Sequence, residues 1–304
     1  MTESSGARQV SQGRAILRTL RPKQWVKNLF VLAALVFSKH LLDPSYALRA
    51  FAAFAVFCAL SGAVYAFNDL RDVESDRKHP LKRLRPIASG QLSEKSALWL
   101  SILLGLGGIA CALAIAPLLA LVAGSYLVNN LAYTLYLKRI AYLDVLLIAV
   151  GFLLRVLAGG FAIDVPVSAW LLACTALLAC FLGFGKRAHE LSEELKNEKS
   201  MGETRAALRG YHLGVLRFML TFLAICTCAA YALYTQDSHT VEFFQTDRLY
   251  WTLPFCLFGI ARFLHITLWM DSDESPTDVI LRDWPFLLNL CAWGVTVFSI
   301  IYLL

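Results

Sequence analysis

Five stretches of this chain, 50–67, 96–137, 165–185, 218–236 and 284–304, contain no Asp, Glu, Lys or Arg. That one pattern limits the fold more than any motif does. A membrane-crossing helix needs roughly 20 mostly apolar residues at about 1.5 Å each. The run 96–137 is long enough for two crossings, and Pro117 near its centre suits a turn between them. Shorter apolar runs at 26–42, 141–162 and 249–270 complete the set, the last two carrying Arg155 and Arg262. Nine transmembrane helices are expected. They form one membrane domain, because in lipid only helices or closed barrels satisfy the backbone. The 304-residue chain is 58% hydrophobic and 16% charged, where a soluble protein carries about a quarter charged residues.

The first 24 residues are polar and basic, and no small-residue cleavage site follows the first apolar run, so no cleavable signal is expected. Residues 1–20 read as an N-terminal cytoplasmic tail, loose over 1–12, and 21–304 as a single transmembrane catalytic domain. The eight cysteines all fall inside predicted helices without a C-x-x-C pair, which fits apolar packing rather than a disulfide or zinc framework. Of the 28 Lys and Arg, all but Lys39, Arg49, Arg155, Arg248 and Arg262 fall in the N-terminal segment or in loops after even-numbered spans. The positive-inside rule then puts the N-terminus and those loops in the cytoplasm of a plasma-membrane protein. The net charge of +6 is a property of one face. It suits anionic headgroups or substrates, and no nucleic acid is expected among the partners.

The second span ends in Asn68-Asp69-Leu70-Arg71-Asp72-Val73-Glu74-Ser75-Asp76. Asn68, Asp72 and Asp76, spaced i, i+4 and i+8, line one helical face about 6 Å apart per step. Three oxygen-bearing side chains there can hold a hard divalent cation whose other positions go to substrate phosphates, the way magnesium is usually bound. Acids at a helix C-terminus oppose the macrodipole, so their presence needs such a counter-reason. Arg77-Lys78-His79-Pro80-Leu81-Lys82-Arg83-Leu84-Arg85-Pro86 follows. Its prolines forbid a continuous helix, leaving a shaped basic loop whose arginine forks suit phosphate oxygens.

The N-x-x-x-D-x-x-x-D run and its basic R-P-I-A-S-G sequel resemble the first aspartate motif of the UbiA superfamily of membrane transferases. The resemblance implies an all-α, polytopic UbiA-type bundle of about nine helices, with a central cavity open to the cytoplasm. It also implies Mg²⁺ ionising a diphosphate donor. UbiA-type prenyltransferases carry a second D-x-x-x-D cluster near their sixth helix. Here that stretch reads Gly185-Lys186-Arg187-Ala188-His189-Glu190-Leu191-Ser192-Glu193-Glu194, with cations ahead of Glu190 and Glu194. Together with Arg21-Pro22-Lys23-Gln24-Trp25-Val26-Lys27-Asn28, with Tyr133-Thr134-Leu135-Tyr136-Leu137-Lys138 and Asp144 beyond it, and with the run 276–283, this order is similar to one branch of the superfamily. That branch, the decaprenyl-phosphate phosphoribosyltransferases, moves ribose 5-phosphate from phosphoribosyl diphosphate to a polyprenyl phosphate.

A charge argument points the same way. Phosphoribosyl diphosphate carries a 5-phosphate besides its diphosphate, and a lipid phosphate acceptor adds another, each near −2 at neutral pH. Such a pair needs cations around it. The resemblance implies Asn68, Asp72 and Asp76 as metal ligands, with Asp72, Asp76 and Lys186 catalytic. It implies Lys23, Lys27, Asn68, Arg77, Lys82, Arg83, Arg85, Tyr133, Lys138, Arg187 and Glu190 as substrate-binding. The bilayer is a partner, and a homo-oligomer and a role in cell-envelope precursor synthesis are implied by the family. Two other readings compete: a prenyltransferase acting on an aromatic or tetrapyrrole acceptor, which would use the absent second aspartate pair, and a lipid-phosphate transporter, which would show repeated halves.

Arg155 and Arg262 are functional candidates because charge within a membrane helix is costly, although pairing inside the bundle would explain either. The charged segment 186–212 reads as a solvated amphipathic helix with a lid role as the alternative.

Overall fold

A computed structural model describes residues 11–196, 206–270, 272 and 274–303, and among these every regular element is helical. Among the described residues eight helices are long and apolar enough to cross a membrane: α3 (Pro44–Arg71), α5 (Glu94–Ile115), α6 (Pro117–Leu135), α7 (Leu143–Ile163), α8 (Ala169–Lys196), α9 (Leu213–Gln236), α11 (Leu253–Trp269, entered by a 3₁₀ turn Arg248–Thr252) and α13 (Trp284–Tyr302). The chain is a multi-pass membrane protein. The expected first span departs from the rest. Residues Pro22–Leu32 form a 3₁₀ helix that passes into the five-residue α2 (Ala33–Phe37), a different winding from that of the eight long α-helices among the described residues. Residues 1–10, most of the stretch expected to be loose, lie outside the described residues, and Gln12–Leu20 forms helix α1, with Ala15 and Thr19 fully buried.

Local chemistry sets the boundaries. Asp43 caps α3 by accepting the Ser45 N–H at 2.9 Å, with Pro44 at the first helical position, where its missing N–H costs nothing. Ser93 caps α5 in the same way, through the Ser96 N–H at 3.1 Å. Pro117 splits the long apolar run where expected. The residue before it, Ala116, is extended (φ −162°, ψ 139°), as a pre-proline residue prefers, and α6 starts on the proline.

The chain divides into two compact units. The first comprises residues 1–35, 43–131 and 154–165. In it α3 lies along α5 at close range: a Cβ on Gly108 would stand 2.6 Å from Leu60, and Ser101 Oγ donates to the Ala63 carbonyl at 2.9 Å. Small residues at such contacts let membrane helices approach. Arg155 is buried here. Its Nε donates to Asn28 Oδ1 at 2.8 Å and its Nη2 to Tyr126 Oη at 2.8 Å, and the guanidinium lies 4.7 Å from the Tyr126 ring centroid.

The second unit comprises residues 36–42, 132–153 and 166–304. Its core joins Phe181, Leu220, Phe263 and Ile266, and Gly185 leaves room for the Phe263 ring. Arg262 is accounted for by pairing: it grips Asp283 through two nitrogens, at 3.1 and 2.7 Å. Asp283 in turn caps α13 by accepting the Phe286 N–H at 3.0 Å.

Candidate active site

The acidic end of α3 keeps its helical stacking through a change of element. The helix closes at Arg71, Asp72 is the joint (φ −95°, ψ 8°), and α4 (Val73–Lys78) continues. Backbone bonds bridge the joint, from Asp72 N–H to the Asn68 carbonyl at 2.9 Å and from Asp76 N–H to the Asp72 carbonyl at 2.8 Å. Asn68, Asp72 and Asp76 therefore remain on one face. Asn68 and Asp72 are half-buried, and Asp76 is 3% exposed.

A further acid, Asp69, to which the sequence reading gave no role, organises this end. Asp69 is 2% exposed and receives Arg21 Nη2 at 2.5 Å and Arg85 Nη1 at 3.1 Å. The same Arg85 nitrogen reaches Asp76 Oδ2 at 2.7 Å. Arg85, expected to meet substrate, thus bridges two carboxylates and leaves its own side chain 30% exposed. Burying two acids in so small a space requires such cations, because an unpaired buried carboxylate is strongly disfavoured.

The basic loop is shaped as its prolines require. Ile87 and Leu92 are buried against Ala15, Val73 and Ala97, which pins the loop to the outside of α4. Gly90 supplies a left-handed backbone (φ 77°) that other residues adopt at a cost. His79 Nδ1 accepts the N–H groups of Leu81 and Lys82 at 3.2 and 3.3 Å, a turn-forming role rather than a metal ligand. Lys82 and Arg83 stand exposed on a 3₁₀ turn, whereas Arg77 is engaged by Glu74 and Glu94, each at 2.9 Å. Lys23 and Lys27 are exposed along the first 3₁₀ helix.

In the second unit, the run near residue 186 is not a row of bare cations. Arg187 is 2% exposed, donates through Nε to Asp144 Oδ2 at 2.8 Å and through Nη1 to Glu190. Its guanidinium is directed at two carboxylates and holds Glu190 and Asp144 in place. Lys186 is the accessible cation of the pair: its side chain is 41% exposed, with Nζ 3.9 Å from Glu190. Asp144, fully buried, also accepts the Tyr211 hydroxyl at 2.5 Å. That hydroxyl accepts the Tyr142 N–H at 2.7 Å and so ties down a residue with a left-handed backbone (φ 68°). Burial and the hydrogen bond to Asp144 raise the Tyr211 pKa, keeping it a donor. Tyr133 and Lys138, on α6 and the 3₁₀ turn after it, are half-buried. Residues 197–205 of the charged segment lie outside the described residues, while α8 carries Glu190 and Glu194 on a continuous helix to Lys196.

The donor set suits one class of metal. Among the described residues no three His, Cys, Asp or Glu side chains converge as a closed cage. The α3–α4 face instead offers one amide and two carboxylate side chains, all with oxygen donors. That matches a hard cation holding one or two protein carboxylates and completing its shell with phosphate oxygens and water. Thiolate or imidazole chemistry does not fit these donors.

Comparison with known proteins gives concordant results. The sequence profile of the UbiA prenyltransferase family matches residues 28–290. The decaprenyl-phosphate phosphoribosyltransferase of Mycolicibacterium smegmatis is 34% identical over 297 residues, covering 94% of this chain and 92% of that protein. The enzyme of the same name from Corynebacterium glutamicum is 33% identical over 300 residues, covering 95% and 87%. Among solved structures, a UbiA homologue from Archaeoglobus fulgidus bound to DMAPP and Mg²⁺ shares the fold, with a TM-score of 0.70 at 18% identity over 95% of this chain and 100% of that one.

Proposed function

The chain belongs to the UbiA prenyltransferase family, and from that premise we propose that it is a polyprenyl-phosphate phosphoribosyltransferase. It transfers 5-phosphoribosyl from phosphoribosyl diphosphate to decaprenyl phosphate or a similar lipid phosphate and releases diphosphate. The observation that carries this reading is the similarity to decaprenyl-phosphate phosphoribosyltransferases along nearly the whole length of both chains. The charge around residue 186 supports it. Where a prenyltransferase would use a second aspartate pair, this chain has an accessible Lys186 and an Arg187 that neutralises Asp144 and Glu190. The basic-residue bias supports a plasma-membrane protein with a cytoplasmic N-terminus and active site.

Asn68, Asp72 and Asp76 would hold Mg²⁺, which when bound supplies charge neutralisation for a departing diphosphate. Arg85 stays within reach of the same face, held by Asp69, and adds a fixed positive charge at the leaving group. In the first unit Lys82 and Arg83 on the basic loop are proposed as phosphate-binding cations, and in the second unit, taken by itself, Lys138 and Lys186 are proposed in the same role. In the reaction the bond from ribose C1 to the diphosphate oxygen breaks, and a bond from C1 to an oxygen of the lipid phosphate forms. The carbon passes through an oxocarbenium-like state, as in glycoside chemistry. The attacking phosphate oxygen is already ionised at neutral pH, so no strong general base is needed and catalysis rests on positioning and charge.

The test is transfer by purified protein in nanodiscs with Mg²⁺, labelled phosphoribosyl diphosphate and decaprenyl phosphate. A labelled lipid that forms with Mg²⁺ and is lost on adding EDTA is the expected result. No labelled lipid, with turnover of a prenyl diphosphate onto an aromatic ring instead, would overturn it.

A further inference from the structure

The first apolar segment is an eleven-residue 3₁₀ helix, far longer than the three or four residues such helices usually reach. Its two buried residues, Asn28 and Val31, stand three apart and so fall on one line. A 3₁₀ helix eclipses residues i and i+3, so a second line forms beside it, from Lys23 through Val26 to Leu29. All three are exposed, Val26 by 40% and Leu29 by 49%. In an α-helix the same three residues would fan through about 120°.

Two independent contacts hold the segment in this form. Arg155 bonds Asn28, which also donates to Ser61 Oγ at 3.2 Å. One turn along α7, Gly159 admits the backbone of the segment itself: a Cβ there would stand 1.9 Å from the Val31 carbonyl oxygen. At its other end the segment follows Arg21, which has a left-handed backbone (φ 51°) and is anchored on Asp69 beside the acidic face. A cation at the reactive end followed by an apolar strip is the chemistry of a lipid phosphate, with its headgroup on the charge and its chain on the strip. Arg21, two residues before Lys23, bonds Asp69, which sets the cationic end of the line beside the candidate active site, where a substrate rather than an annular lipid would be held.

We propose that the Lys23–Val26–Leu29 line is the docking face of the polyprenyl phosphate acceptor, with Arg155 and Gly159 as positioning residues that keep it straight. This rests on the phosphoribosyltransferase reading for the identity of the acceptor. The test uses the full chain in nanodiscs with Mg²⁺, a diazirine-bearing polyprenyl phosphate as photolabel, and steady-state kinetics. Lys23→Gln, Leu29→Ala and Gly159→Ala are each expected to raise KM for polyprenyl phosphate about fivefold or more while KM for phosphoribosyl diphosphate stays within about twofold. Lys23→Arg restores the acceptor KM. The photolabel lands within residues 22–32, and unlabelled polyprenyl phosphate protects against it where phosphatidylglycerol does not. Equal protection by phosphatidylglycerol, labelling elsewhere, or an unchanged acceptor KM in Lys23→Gln and Leu29→Ala would overturn the proposal. Should the wild-type protein be labelled here yet transfer no phosphoribosyl group, the docking face stands and the reaction assigned above fails. Transfer without labelling here means the reverse.

Discussion

Asp69 follows Asn68 directly, and that one-residue step turns its side chain about 100° away from the face that Asn68 shares with Asp72, so Asp69 and Asp72 have different roles. Asp69 is buried under Arg21 and Arg85, whereas Asp72 sits half-buried on the face shared with Asn68 and Asp76. Asp72→Asn removes a metal carboxylate while keeping the side chain's size. Transfer rates should fall roughly 100-fold or more, with partial recovery at high Mg²⁺, and an unchanged rate would remove Asp72 from the site. Lys186→Ala should act mainly through KM for an anionic substrate, whereas Arg187→Met should act on stability. Losing one partner of a buried pair costs about 3–5 kcal/mol by analogy with other buried pairs. Thermal unfolding in detergent separates the two, since Lys186→Ala is expected to unfold near the wild-type temperature. The i, i+4, i+8 spacing was legible in the sequence. The identity of the inward acid was not, because Asn68-Asp69 and Asp72 read alike until the neighbours that bury one of them are known.

At the scale of elements, ion pairs fix where helices begin and how loops are held. Asp283 caps α13 and receives both nitrogens of Arg262, whose guanidinium holds its carboxyl below the usual carboxylate range. A depressed folded-state pKa contributes stability that is present above the unfolded value, near 3.9, and is lost as pH falls through the lower folded value. Asp283→Asn should therefore lower the midpoint of thermal unfolding at pH 7 and flatten its decline in acid. The expected cost is about 1.5–3 kcal/mol, as for hydrogen bonds to charged groups. Equal acid sensitivity in the variant would show that the pair contributes nothing. Helix ends announced themselves through Asp43-Pro44, Ser93 and Pro117. The 3₁₀ form of Pro22–Leu32 did not, because its winding depends on Gly159 and Arg155, more than 120 residues later.

For the whole molecule, the distribution of Lys and Arg makes a prediction about topology. Single cysteines placed at Ser89 and at Ser45, in an otherwise cysteine-free chain in sealed inverted vesicles, should differ in labelling by a membrane-impermeant maleimide. The Ser89 site, in the basic loop, should react and the Ser45 site should not; the opposite pattern would turn the active site to the other face.

Composition and the length of the charge-free runs determined that the chain is a helical membrane protein, because lipid admits only helices or closed barrels and barrel strands need only about 10 residues. Residue spacing determined where a hard cation could be held. Tertiary structure decided the rest: that Arg85 bridges Asp69 and Asp76, that Arg187 is buried between Asp144 and Glu190, and that Arg155 meets Asn28 and Tyr126. Each of these joins residues distant in sequence or turned by a local backbone angle. A charged side chain's partner is set by which groups share its low-dielectric surroundings, and that is a property of packing, not of order along the chain.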